Sequence, residues 1–150
     1  MKISTKGRYA LEAVLDLAIH SSAGHESLKS IAERQNISEN YLEQIFVLLR
    51  RNGIVESIRG AQGGYQLARD PQDITAGQVI RAAEGQLAPV ACVAEGKEKH
   101  RCDMYEACVT RTLWANIMRE INDAADSVSI KDLMECCRRM NNEDEIEYHI

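Results

Sequence analysis

Apolar positions recur three and four residues apart along most of this chain, and two apart in one short region. The order of these patterns predicts the fold. From Thr5 to His20, Tyr9, Ala10, Ala13, Val14, Leu17 and Ala18 form one stripe, which predicts a core helix. A second, shorter helix is predicted over Ser27 to Gln35, with Ser27 as cap and Leu28, Ile31 and Ala32 turned inward. Asn36-Ile37-Ser38 reads as a turn. Ser38 caps a third helix, with Ile37 and Leu42 placed as a hydrophobic staple, and that helix runs to about Asn52 and stops at Gly53. Two strands follow, Ile54 to Ile58 and Tyr65 to Leu67, around a glycine-rich turn. After the break at Asp70-Pro71, Thr75 and Gln78 make a capping box stapled by Ile74 and Val79, and a short helix runs from Ala76 to Glu84 and ends at Gly85. Residues 86–107 show no helical period. From Thr110 to Ser127, Trp114, Ile117, Ile121, Ala124 and Val128 form a narrow seam of the kind that pairs helices, widened by Leu113 and Ala125. A last helix restarts after Ser129 with Ile130, Leu133, Met134, Cys137 and Met140 on one face, and the acidic 141–150 stretch is expected to be disordered.

Two short helices, a tight turn and a hairpin in that order predict a mainly α protein, a winged helix-turn-helix with a long C-terminal dimerisation helix. The expected organisation is 1–84 for the winged DNA-binding unit, 85–109 for a cysteine-bearing connector, 110–140 for dimerisation helices and 141–150 for the tail. The third helix has two sides. Leu42, Ile45, Phe46 and Leu49 share the packing face, whereas Asn40, Gln44, Val47 and Arg51 lie opposite. Side chains near the start of a recognition helix reach base edges, and Asn and Gln bond adenine in bidentate fashion, so Asn40, Tyr41 and Gln44 are the expected readers. Glu43 beside them either accepts a hydrogen bond from cytosine N4 or repels the wrong sequence. Arg59 and Gly60 open the wing, where an arginine suits a narrow minor groove; the alternative for Arg59 is a salt bridge to Glu56. Lys2, Lys6 and Arg8 suit phosphate contacts, or are solvated surface charges.

Charge sharpens this division. The formal net charge is −5, but residues 1–69 hold nine Lys and Arg against seven Asp and Glu, while residues 70–150 hold nine against sixteen. The cationic front half is therefore the side expected to meet double-stranded DNA, and its modest excess calls for a two-fold homodimer. No apolar run approaches the ~20 residues of a membrane span, and the N-terminus has no apolar signal core. A cytoplasmic protein without a membrane partner is expected. An enzyme is not, because no C-x-x-C pair, nucleotide-binding glycine loop or Ser/His/Asp set is present.

Five cysteines, an odd number, point to thiols or metal ligands over a disulfide framework. Cys92, Cys102 and Cys108 fall in the aperiodic segment with C-x9-C-x5-C spacing. Structural zinc sites favour closer C-x2-4-C pairs, and iron–sulfur clusters accept wider spacings, so the chemistry alone leaves both metals open, with a metal-free redox-sensing thiol loop as the third reading. Cys137 is expected in the core and Cys136 to be incidental.

The start Met1-Lys2-Ile3-Ser4-Thr5-Lys6-Gly7-Arg8-Tyr9, the helix segment Asn40-Tyr41-Leu42-Glu43-Gln44, and the wing segments Ile58-Arg59-Gly60 and Gly63-Gly64-Tyr65 resemble the Rrf2 family of bacterial transcription regulators over nearly the whole chain to about Met140. The resemblance implies a homodimeric DNA-binding repressor or activator. Its IscR-like branch further implies an iron–sulfur cluster on Cys92, Cys102 and Cys108, 2Fe–2S in preference to 4Fe–4S, and control of cluster-biogenesis genes. The alternatives within the family are a thiol-based or nitric-oxide-responsive repressor and a cluster-free, CymR-like regulator. Two departures stand out: the first cysteine spacing is longer than in well-known cluster regulators, and Arg111 occupies the position where the IscR-like branch has a histidine ligand. Arginine stays protonated and cannot ligate a metal. The fourth ligand is thus open among His100, Asp103 and a first-helix carboxylate such as Glu12 from a partner subunit.

Overall fold

A computed structural model describes residues 1–96 and 102–147. Six α-helices and one hairpin occur among them. α1 is Thr5–His20, α2 Leu28–Gln35 and α3 Glu39–Arg51; β1 is Val55–Ile58 and β2 Gly64–Leu67; α4 is Ala76–Glu84, α5 Val109–Asp126 and α6 Ile130–Glu147. Each early helix begins where a hydroxyl can satisfy the first free N–H groups: Ser4 Oγ accepts from Lys6 N, Ser27 Oγ from Ser30 N, and Ser38 Oγ from Tyr41 N. The capping box of Thr75 and Gln78 is formed in both directions. The turn between α2 and α3 depends on Asn36, the one non-glycine residue at positive φ among those described (φ 53°, ψ 46°). Asparagine tolerates that left-handed geometry, so the chain reverses within three residues.

α1 is the central pillar, packed against α2, α3, α4, α6 and β2. Its Ala10, Ala13, Val14 and Leu17 meet Leu42, Ile45, Phe46 and Leu49 of α3 and Val79 of α4, all fully buried. Phe46 stands edge-on to Tyr65 at 4.8 Å, which ties the hairpin to α3. The strands pair antiparallel with Val55 opposite Leu67 and Ile58 opposite Gly64.

The C-terminal region departs from expectation in three places. α6 packs back onto the winged core, burying Ile130 and laying Leu133 and Met134 against it, so residues 130–134 belong to that core. Backbone bonds Ala76 N to Val128 O and Ile130 N to Ile74 O, each 2.8 Å, fasten it there. Met140, expected on the packing face, is 62% exposed, because the core ends about two turns earlier. The helix then continues to Glu147 through most of the stretch expected to be disordered; glutamate is a good helix former and needs no burial to extend an existing helix. Residues 148–150 lie outside the described residues. Among those described, no helix is long and apolar enough to cross a membrane.

Candidate DNA interface and cysteine connector

α3 presents its two faces as the periodicity requires. Asn40, Glu43 and Gln44 are exposed, and among the described residues their side chains have no hydrogen-bond or ion-pair partner. Val47 is half-buried and Arg51 exposed. Tyr41 differs from the other expected readers: it is half-buried, packs against the core and meets Tyr9 edge-on at 6.0 Å. Its ring locks the start of α3 against α1. A one-residue turn of the helix separates it from Asn40, a distinction that burial against α1 imposes and local pattern does not carry.

In the wing, Gly60 sits at φ 120°, a geometry suited to glycine. Arg59 beside it is exposed and is not paired with Glu56, whose carboxylate instead accepts from Gln66 Nε2. Lys2 and Arg8 are exposed at the start of α1. That helix end is held from outside: the Glu84 carboxylate accepts from Ser4 N at 3.1 Å, from Gly7 N at 2.7 Å and from the Ser4 hydroxyl. Gly7 has no room for a side chain there, since a Cβ would lie 2.6 Å from Glu84. Glu84 is the last residue of α4, immediately before the cysteine connector.

The connector leaves α4 at Gly85 and reaches α5 through short 3-10 turns at Ala91–Val93 and Tyr105–Ala107. Gln86 pins it by bonding both the backbone N–H and the carbonyl of Glu95. Cys92, Cys102 and Cys108 are free thiols, the first and last half-buried and Cys102 exposed. Cys92 lines a cavity of about 640 Å³ with Glu95, Tyr105, Arg111, Thr112 and Asn116. Cys108 stands at the residue before α5 without a side-chain capping bond; the Thr110 hydroxyl, the backbone N–H groups of Arg111 and Thr110, and the Arg111 charge hold its thiol below the ordinary range. As a donor set, free thiols of which one is held below the ordinary thiol range fit a soft metal or iron–sulfur group. Their positions are not assembled, since among the described residues no three His, Cys, Asp or Glu side chains are grouped to hold one metal ion. Of the expected fourth-ligand candidates, Asp103 and Glu12 are exposed, and His100 lies outside the described residues. Arg111 stacks over Tyr105 at 4.1 Å. Cys136 is exposed, and Cys137, expected in the core, is only half-buried because α6 has by then passed beyond it.

α5 rests on α4 through polar contacts. Arg81 bonds Asp126 at 2.7 Å and Asn122 at 2.9 Å, and Asn122 bonds the Leu87 carbonyl at 3.0 Å. No α5 residue is fully buried, and at its start Val109 and Leu113 are 86% and 54% exposed.

The family model described as Rrf2, iron-dependent transcriptional regulator, matches residues 3–136. The HTH-type transcriptional regulator IscR of Yersinia enterocolitica is 40% identical, over 95% of this chain and 88% of its own length. Among solved structures, CymR (YrzC), the global cysteine regulator of B. subtilis, superposes with a TM-score of 0.71 at 42% identity, covering 90% of this chain and 97% of that one. IscR of T. potens gives 0.70 at 42% identity, covering 91% and 88%. These relatives are transcriptional regulators and not enzymes.

Proposed function

Because the chain belongs to the Rrf2 family of transcriptional regulators, we propose that it is a homodimer whose hold on operator DNA is set by an iron–sulfur cluster on Cys92, Cys102 and Cys108, with cluster-biogenesis genes as its targets. The observation that carries this reading is the placement of three free thiols in the single connector between α4 and α5. One end of that connector adjoins Glu84, which holds the phosphate-facing start of α1. The other end opens α5, whose incompletely covered seam and exposed Val109 and Leu113 suit a second copy. Asn40 and Gln44 bond adenine edges, Glu43 accepts from cytosine N4, Arg59 enters the minor groove, and Lys2 and Arg8 meet phosphates. Gly60 lets the wing backbone approach closely. Cys92, Cys102 and Cys108 would hold the cluster, which would supply a redox-sensitive group to the connector. A 2Fe–2S cluster is favoured over 4Fe–4S on the family resemblance, with the fourth ligand open, since Arg111 cannot supply it.

Protein purified without oxygen should be coloured and contain iron and acid-labile sulfide in matching amounts. Cys92→Ala, Cys102→Ala and Cys108→Ala should each lose the iron, whereas Cys136→Ala and Cys137→Ala should keep it. A colourless protein with stoichiometric zinc refutes the cluster reading. Two observations favour a second reading: Arg111 stacks on Tyr105 beside Cys92, and the described donors are not grouped, which suits a cluster-free, CymR-like or thiol-modified regulator. In that case the protein lacks iron, and thiol reagents alter its DNA binding.

A further inference from the structure

The wing is a hairpin of two four-residue strands. Such a unit is marginal by itself. Its turn closes through one backbone bond, Gly63 N to Gly60 O at 3.0 Å. The hairpin is nevertheless held from the side by the segment that leads into α2. Glu26 N donates to Tyr65 O at 3.0 Å and Tyr65 N donates to Glu26 O at 2.8 Å, an isolated antiparallel bridge that adds a strand one residue wide beside β2. The approach is as close as glycine permits, for a Cβ on Gly64 would lie 2.2 Å from the Glu26 carbonyl oxygen. The same segment is moored to the helices, because Arg34 donates to the Glu26 carboxylate at 2.9 Å while gripping the buried Asp16. Nearer the tip, His25 Nε2 donates to the Gln62 carbonyl oxygen. Glu26 thus fixes β2 at Tyr65, near the turn end of the hairpin, and His25 is the one side chain among the described residues that bonds its turn.

We propose that His25 is a positioning residue for DNA recognition: by bonding the turn at Gln62 it sets the angle at which the wing delivers Arg59 to the minor groove while α3 occupies the major groove. The proposal rests on the reading of Arg59 as the minor-groove contact. A turn without this bond samples several orientations, and DNA binding must then immobilise it, which weakens the complex without removing any protein–DNA contact. His25 lies on the surface and buries nothing. Its loss should leave the fold unchanged.

The test is a double-mutant cycle on a duplex selected from a randomised library by the wild-type protein. His25→Ala should weaken binding about three- to tenfold, the worth of one ordinary hydrogen bond. Arg59→Ala should also weaken it, and adding His25→Ala to Arg59→Ala should have no further effect. His25→Gln should restore affinity, since an amide N–H can donate to the same carbonyl. Hydroxyl-radical footprints should show minor-groove protection lost in His25→Ala, with guanine N7 protection by α3 retained and thermal unfolding unchanged. Wild-type affinity for His25→Ala, or losses that simply add to those of Arg59→Ala, overturns the positioning role while leaving Arg59 as a DNA contact. If Arg59→Ala alone binds as tightly as wild type, the wing reading itself fails and this proposal with it.

Discussion

Asp16→Asn should be among the more damaging single-atom changes in this protein. Asp16 is 4% exposed on the inner side of α1. Its two oxygens accept from Arg34 Nε at 3.1 and 3.0 Å, from Arg34 Nη2 at 2.7 Å and from Gln35 Nε2 at 2.8 Å. Arg34's guanidinium is held above its ordinary range chiefly by its hydrogen bond to Asp16, then by the bond to Glu26. Replacing one oxygen with NH2 removes the charge and turns a donor toward other donors. Loss of a charge-assisted bond costs about 1.5–3 kcal/mol, and leaving a buried donor unmatched costs a further 1–3 kcal/mol. Arg34's side chain is 33% exposed and keeps Glu26, so water relieves part of the sum. The net is about 2–4 kcal/mol. For a chain of this length that lowers Tm by roughly 5–12 °C. Thermal and urea unfolding followed by circular dichroism at one protomer concentration measures it, and the urea slope should be unchanged. A Tm within about 1 °C of wild type would mean that Arg34 swings to solvent at no cost and that the network is not a structural anchor.

Gly64→Ala should destabilise by about 1–3 kcal/mol, because the added methyl meets backbone and cannot be relieved by a rotamer change; urea unfolding checks this, and a neutral result means that the Glu26–Tyr65 bridge is dispensable. Asp126 is held below the ordinary carboxylate range by its bond to Arg81, then by Thr75 and the Arg81 charge. A depressed folded-state value gives stability that is complete above the unfolded value and is lost as pH falls through the folded one. The difference between wild type and Asp126→Asn, no more than about 1 kcal/mol for so exposed a group, should therefore be constant near neutrality and shrink below about pH 4. A gap that widens in acid contradicts the assignment.

Local signals were legible and long-range ones were not. The boundaries of α1, the caps at Ser27 and Ser38, the Asn36 turn and the capping box at Thr75 each depend on residues within one helical turn of one another, so spacing alone reveals them. Asp16 looks like an ordinary polar interruption until Arg34, eighteen residues on, folds over it. His25 sits in a polar loop whose partner is thirty-seven residues away. Tyr41 and Asn40 are adjacent and both polar, and only the packing of Tyr9 separates the anchored ring from the free amide. The cysteines were legible as a set in one connector, whereas their mutual placement depends on tertiary structure that thiol spacing does not encode.

The charge distribution explains how an acidic chain can serve as a DNA reader. Of the front half's charges, Arg34, Asp16 and Glu26 largely satisfy one another, which leaves eight cations against five carboxylates. Of those eight, all but the half-buried Lys6 are exposed, Lys2, Arg8 and Arg59 among them. The acidic excess lies in residues 70–150, where Arg81 is already committed to Asp126 on the α4–α5 side. Among the described residues, exposed positive charge in the front half includes the start of α1, Lys29 on α2, the end of α3, the wing and Arg69 after β2. One copy neutralises few phosphates, and because counterion release scales with the number neutralised, two copies on one duplex roughly double the exponent of the salt dependence. If the chain pairs through α5 as proposed, that pairing would contribute to affinity directly, and a change in the connector leading into α5 would alter DNA binding without a contact to any base.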